Sequence, residues 1–216
     1  MFSFLIILFF LVLGKPLALI GAGVASWAAI QLWRRWDEPR RRRRYGWVLL
    51  ATGMLVGAPV TAIKIKEHRF VLARVPEPLR VATIEYRREE DWGSIGLPGD
   101  NETGFVVYRL TSDSAQWARD QGPRLPDRLS LRNATWQATP VHDDDRGWRP
   151  HRGGRPPRPM IAAYLDRYGF GIDVRGHDGK ADLAVQAPGS FYTYGRGGSI
   201  TIVDPRRGKV YFAYAG

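Results

Sequence analysis

The chain has 216 residues, no cysteine and a formal net charge of +11, which excludes a disulfide framework and any thiolate metal ligand or nucleophile. The charge is lopsided: residues 1–66 hold ten Lys/Arg against two acids, and residues 67–216 hold twenty-two against nineteen. An excess of +8 in the first part and only +3 in the rest is a membrane-topology pattern, not the basic face of a nucleic-acid binder, so no nucleic acid is expected as partner.

Residues 1–33 are apolar with Lys15 as their single charge, and residues 46–63 carry no charge at all. A bilayer core about 30 Å thick needs roughly 20 residues of helix. Two transmembrane helices are therefore expected, over about 16–33 and 46–65, with an arginine-rich loop at 34–45 between them. Residues 1–14 end in Gly14-Lys15-Pro16 and lack the basic start of a cleaved signal peptide, so an uncleaved anchor is expected.

The positive-inside rule sets the orientation. Arg34, Arg35, Arg40, Arg41, Arg42, Arg43 and Arg44 crowd the loop, whereas Lys64, Lys66, Arg69, Arg74 and Arg80 are spread out beyond the second span. The loop is expected in the cytoplasm and the rest of the chain outside, which gives a bacterial inner-membrane protein with a periplasmic domain. Trp33, Trp36, Tyr45 and Trp47 bracket the arginines and suit the headgroup level. The loop arginines could also hold anionic lipid headgroups. Gly53 and Gly57 form a GxxxG spacing that favours close helix packing, of the two spans on each other or, as the alternative, in a homodimer.

From about residue 70 to 216 the pattern predicts a soluble α+β domain, an antiparallel sheet with two or three helices on one side. Residues 81–86 and 104–110 read as strands. Residues 112–121 read as a short helix with a capping box formed by Asp113 and Gln116, ending at Gly122-Pro123. Residues 129–141 suit a further strand or pair. The Pro/Gly/Arg-rich stretch 142–158 offers no core stripe and is expected as an exposed, mobile loop. Residues 159–168 read as a helix with Ile161, Tyr164, Leu165 and Tyr168 on one face. A strand over 170–174 and a helix from Asp178 to Ala187 follow. Three strands then form a meander, over 191–194, 199–204 and 209–215, joined by Gly195-Arg196-Gly197-Gly198 and Pro205-Arg206-Arg207-Gly208.

No nucleotide, zinc-protease or hydrolase motif is present. The run His142-Asp143-Asp144-Asp145 lacks the spacing of zinc or calcium ligands, so no metal, cofactor or catalytic residue is assigned. Tyrosines on a meander combine area with a polar tip, and Tyr192, Tyr194 and Tyr211 are the expected interaction surface. The function expected is a membrane-anchored envelope protein presenting a binding domain to a protein partner, in an accessory or immunity-type role. The alternatives are an envelope enzyme using carboxylates near 85–91 with His142 or His177, and the same anchor with a cytoplasmic domain.

Overall fold

A computed structural model of the chain describes residues 20–34, 38–91, 102–132, 134–142, 145–148 and 158–216. Two compact units result, one ending at Val71 and the other running from Leu72 to Gly216.

The first unit is helical. Helix α1 covers residues 20–34, and α2 is Pro39–Leu72, 34 residues long. Trp27 and Tyr45 meet edge to face with ring centroids 5.7 Å apart. Among the described residues no helix is long and apolar enough to cross a membrane. This overturns the expected pair of transmembrane helices, and with it the inner-membrane placement and periplasmic domain that rested on them. The apolar middle of α2 is continuous with charge at both ends of the same helix, arginines through its first turns and Lys64, Lys66, Glu67 and Arg69 in its last.

The arginine stretch is also not the loop expected over 34–45. Arg34 is helical in α1, and Arg40, Arg41, Arg42, Arg43 and Arg44 ride the first turns of α2, where Glu38 pairs with Arg41 at 2.8 Å. Trp33 and Trp47 are exposed, while Arg35 and Trp36 lie outside the described residues, as do residues 1–14. Gly53 and Gly57 have open space where a Cβ would stand, so neither is a close-packing point among the described residues.

The second unit is α+β, built on a six-stranded antiparallel sheet of order β1-β2-β6-β5-β4-β3. Its strands are β1 (Val81–Asp91), β2 (Glu102–Leu110), β3 (Gln137–Ala138), β4 (Phe191–Tyr194), β5 (Ser199–Asp204) and β6 (Lys209–Ala215). The run Phe105-Val106-Val107-Tyr108 in β2 is buried on both faces, as a central strand of β-formers should be. Its partner β6 is set by Phe105 opposite Ala213 and Val107 opposite Tyr211.

Period-two alternation then divides the sheet into two faces. One carries Phe105, Val107, Tyr192, Ile200, Ile202, Tyr211 and Ala213, and packs with helices α5 (Ile161–Leu165) and α6 (Gly179–Gln186). The opposite face carries Val106, Tyr108, Phe191, Val203 and Val210, all buried. Helices α3 (Ser112–Gln121) and α4 (Leu125–Arg128) follow β2.

Local structure departs from the sequence reading at several points. The N-cap of α3 is Thr111, whose hydroxyl accepts from the Ser114 amide at 3.2 Å; the capping box on Asp113 does not form because the cap falls two residues earlier. Helix α5 has only five residues: the Asp182 carboxylate accepts from the Ile161 amide at 2.7 Å, and after Leu165 the Asp166 side chain takes the Gly171 amide. Residues 170–174 form no strand, yet Ile172 and Val174 are buried. Within the stretch expected to be exposed, Trp148 is 1% exposed and meets Tyr164 edge to face at 4.9 Å.

Candidate binding groove

The second unit carries an open groove of about 400 Å³ on the face of the sheet opposite α5 and α6. Its floor holds Ala118 of α3, Ala138 of β3 and Phe191 of β4, and its walls are chain reversals containing Pro123, Pro188 and Pro205. Proline fixes φ and removes a donor, so these reversals give the groove stiff sides with little hydrogen-bonding demand.

Thr139 and the backbone of Ser190 are bonded internally. The Thr139 hydroxyl donates to the Ala187 carbonyl at 2.7 Å and accepts from the Ser190 amide at 3.0 Å, and the Thr139 amide donates to the Ser190 carbonyl. This arrangement pins residues 187–190 beside β3. What remains polar is the rim. Arg119 donates to Gln116 at 2.8 Å and reaches the Pro205 carbonyl at 3.5 Å. Arg206, exposed in the β5–β6 turn, lies across Gly189, its Nε 2.9 Å from where a Cβ would stand. Gly189 also has φ +106, a conformation that favours glycine. Among the described residues no aspartate or glutamate lines the groove.

The residues singled out in the sequence lie elsewhere. Tyr192 and Tyr211 are 1% and 0% exposed, and Tyr194 is half-buried against the same core. They fill the inner face of the sheet and do not form an exposed patch. Burial pushes the Tyr192 and Tyr211 hydroxyls above the ordinary tyrosine range, so both stay protonated at neutral pH. Tyr192 donates to Asp145 at 3.0 Å and sits 2.7 Å from Gln137.

Glu85, Glu89 and Glu90 are held in separate ion pairs, and the Asp91 side chain lies outside the described residues. Glu85, at an irregularity in β1, accepts from both Arg109 and Lys209. Burial pushes its carboxyl up, but the hydrogen bonds from Lys209 and Arg109 outweigh this and hold it below the usual value. Glu89 behaves alike: burial raises it, and Arg74 at 2.6 Å with Arg87 at 2.7 Å brings it down. Glu90 pairs with Arg88 at 2.6 Å. His177 stacks on Tyr86 with centroids 4.0 Å apart, and His142 is exposed. Among the described residues no three His, Asp or Glu side chains are placed to hold a metal ion.

Sequence reasoning did not find Arg119 or Arg206. Arg206 stands in a stretch that reads as a plain turn, and the groove joins segments that range from Ala118 to Arg206 along the chain. The one available signal was proline beside glycine at two of the three walls, Gly122-Pro123 and Pro188-Gly189. Comparison with protein-family models, with curated proteins and with solved structures returns no match to this chain.

Proposed function

We propose that residues 72–216 act as a recognition module that holds another protein in the groove between α3, β3 and the β5–β6 turn. An accessory or immunity-type role suits such a module, because it needs a presented surface and no bond-making chemistry. The observation that carries this reading is the groove itself: open to solvent, apolar at its centre and charged only at its rim. That is the anatomy of a protein interface, a dry core within a polar margin.

The carboxylates support the same reading. A general acid working at neutral pH needs its pKa raised toward 6–7, and Glu85 and Glu89 are shifted the other way.

The test is a selection from a displayed peptide library on the full chain, followed by measurement on an Ala138→Trp variant. Ala138 is exposed on the edge strand, so an indole there fills the groove at little cost to the core. Ligands selected by the wild type and lost by the variant support the reading. Ligands that bind both proteins equally overturn it.

A further inference from the structure

The recognition-module reading leaves open what the partner offers, and the charge of the groove supplies an answer. We propose that the groove takes an acidic segment of a partner protein, with one apolar side chain seated over Phe191 and Ala138 and flanking carboxylates meeting Arg119 and Arg206. This inference rests on the reading above and sharpens it.

Among the described residues, every formal charge lining the groove is positive. The acid nearest Arg206 in sequence, Asp204, is fully buried. It is occupied by Arg207, through the guanidinium at 2.7 Å and the backbone amide at 3.1 Å, so it does not neutralise the rim. Asp120, beside Arg119 in α3, accepts from Gln116 at 2.7 Å. Arg206 has no carboxylate partner among the described residues.

The two guanidiniums are also positioned. Gln116 and the Pro205 carbonyl hold Arg119 by part of its fork, and the bare backbone of Gly189 lets Arg206 lie flat across the wall. A guanidinium has five N–H donors in fixed geometry and matches a carboxylate two bonds at a time. A partially held arginine with unused donors is therefore prepared for an incoming carboxylate at reduced entropic cost.

The floor asks for something different. The Thr139 hydroxyl and amide and the Ser190 backbone are already bonded to each other and to Ala187, so the centre rewards mainly apolar burial. An occupant with an apolar residue between acidic neighbours satisfies floor and rim together; a bare small anion leaves the floor empty. About 400 Å³ gives room for a side chain or two.

The experiment measures binding of the full chain, by fluorescence anisotropy, to three sets of ten-residue peptides. Each peptide has one central Leu or Phe, flanked by Asp/Glu, by Asn/Gln or by Lys/Arg. The acidic set is expected to bind at least about tenfold more tightly than the Asn/Gln set, and more weakly as salt rises from about 50 to about 500 mM. Arg206→Gln is expected to remove most of that preference, about tenfold, with Arg206→Lys restoring part of it and the thermal midpoint unchanged.

Asn/Gln peptides that bind as well as acidic ones, yet are lost by Ala138→Trp, would overturn the acidic inference and leave the recognition module standing. Acidic peptides that bind wild type and Ala138→Trp alike would overturn both. Absence of binding by every acidic peptide at millimolar concentration overturns the inference, as does displacement of a bound acidic peptide by succinate at comparable concentration, which would assign the site to small dicarboxylates.

Discussion

The Tyr192 hydroxyl on β4 donates to the Asp145 carboxylate at 3.0 Å, joining the sheet to a segment whose composition reads as solvent-exposed. Asp145 also accepts from the Gly147 amide at 2.8 Å, and Arg167 donates to the Gly147 carbonyl at 2.9 Å. Two residues after the link, Gly147 is followed by Trp148, which enters the core. The charged run thus has an anchor, made by one acid outside the sheet and one tyrosine inside it.

Removing the two halves of that anchor should have different effects. Tyr192→Phe loses a hydrogen bond to a carboxylate and is expected to cost about 1–2 kcal/mol. Trp148→Ala deletes a buried indole and is expected to cost about 3–5 kcal/mol. Urea denaturation followed by far-ultraviolet circular dichroism measures both; equal losses would show that the tryptophan is not packed as described.

Acid should weaken the second unit. The folded pKa values of Glu85 and Glu89 lie below their ordinary value, so their contribution is complete above the unfolded carboxylate range near pH 4.5 and disappears as pH falls through the folded values. Asp182 works in the opposite sense, since burial raises its carboxyl. Among the described residues, two depressed carboxylates against one raised predict a urea midpoint that falls between about pH 6 and about pH 3. Glu89→Gln should be less stable at neutral pH and show a shallower fall; an unchanged slope would remove Glu89 from the account.

The start of α3 offers a discriminating pair of substitutions. Thr111 is the residue whose hydroxyl caps the helix, so Thr111→Ala is expected to cost about 1 kcal/mol. Asp113 sits inside the first turn, where it favours the helix dipole and accepts an exposed bond from the Ser112 hydroxyl at 3.3 Å, so Asp113→Ala should cost no more than about 0.5 kcal/mol. Chemical denaturation of both variants checks the order, and the reverse order would restore the capping box read from the sequence.

Gly197 and Gly198 make a similar contrast in the β4–β5 turn. Both have positive φ, +65 and +67, so alanine at either pays a left-handed backbone cost of about 1–2 kcal/mol. At Gly197 the added methyl meets open space, whereas at Gly198 it collides with the Ala215 carbonyl of β6. Gly198→Ala should therefore exceed Gly197→Ala by about 1–3 kcal/mol, measured as the difference in thermal or urea stability. Parity between them would mean that the turn relaxes freely.

The parts of the fold legible in the sequence are those governed by local chemistry. Strands β4, β5 and β6 stand where alternation and Gly/Pro punctuation put them, and α3 runs its expected length to Gly122. Long-range decisions were not legible. Nothing near Trp148 announces that the tyrosine at 192 will reach across to Asp145. Nothing near Arg206 announces that α3 and the end of β3 will complete a groove around it. The apolar run in α2 misled for a related reason: hydropathy averages a window, but the helix continues without a break into the charged turns on either side.

Strand β6 lies between β2 and β5, and it is the last of the six to be translated. A nascent chain that has emerged only as far as β5 holds two fragments of sheet, β1-β2 and β5-β4-β3, with facing edges and nothing to join them. Those edges are rows of unpaired amides and carbonyls of the kind that recruit strands from other chains. Only when β6 inserts, pairing with β2 on one side and β5 on the other, are both edges closed.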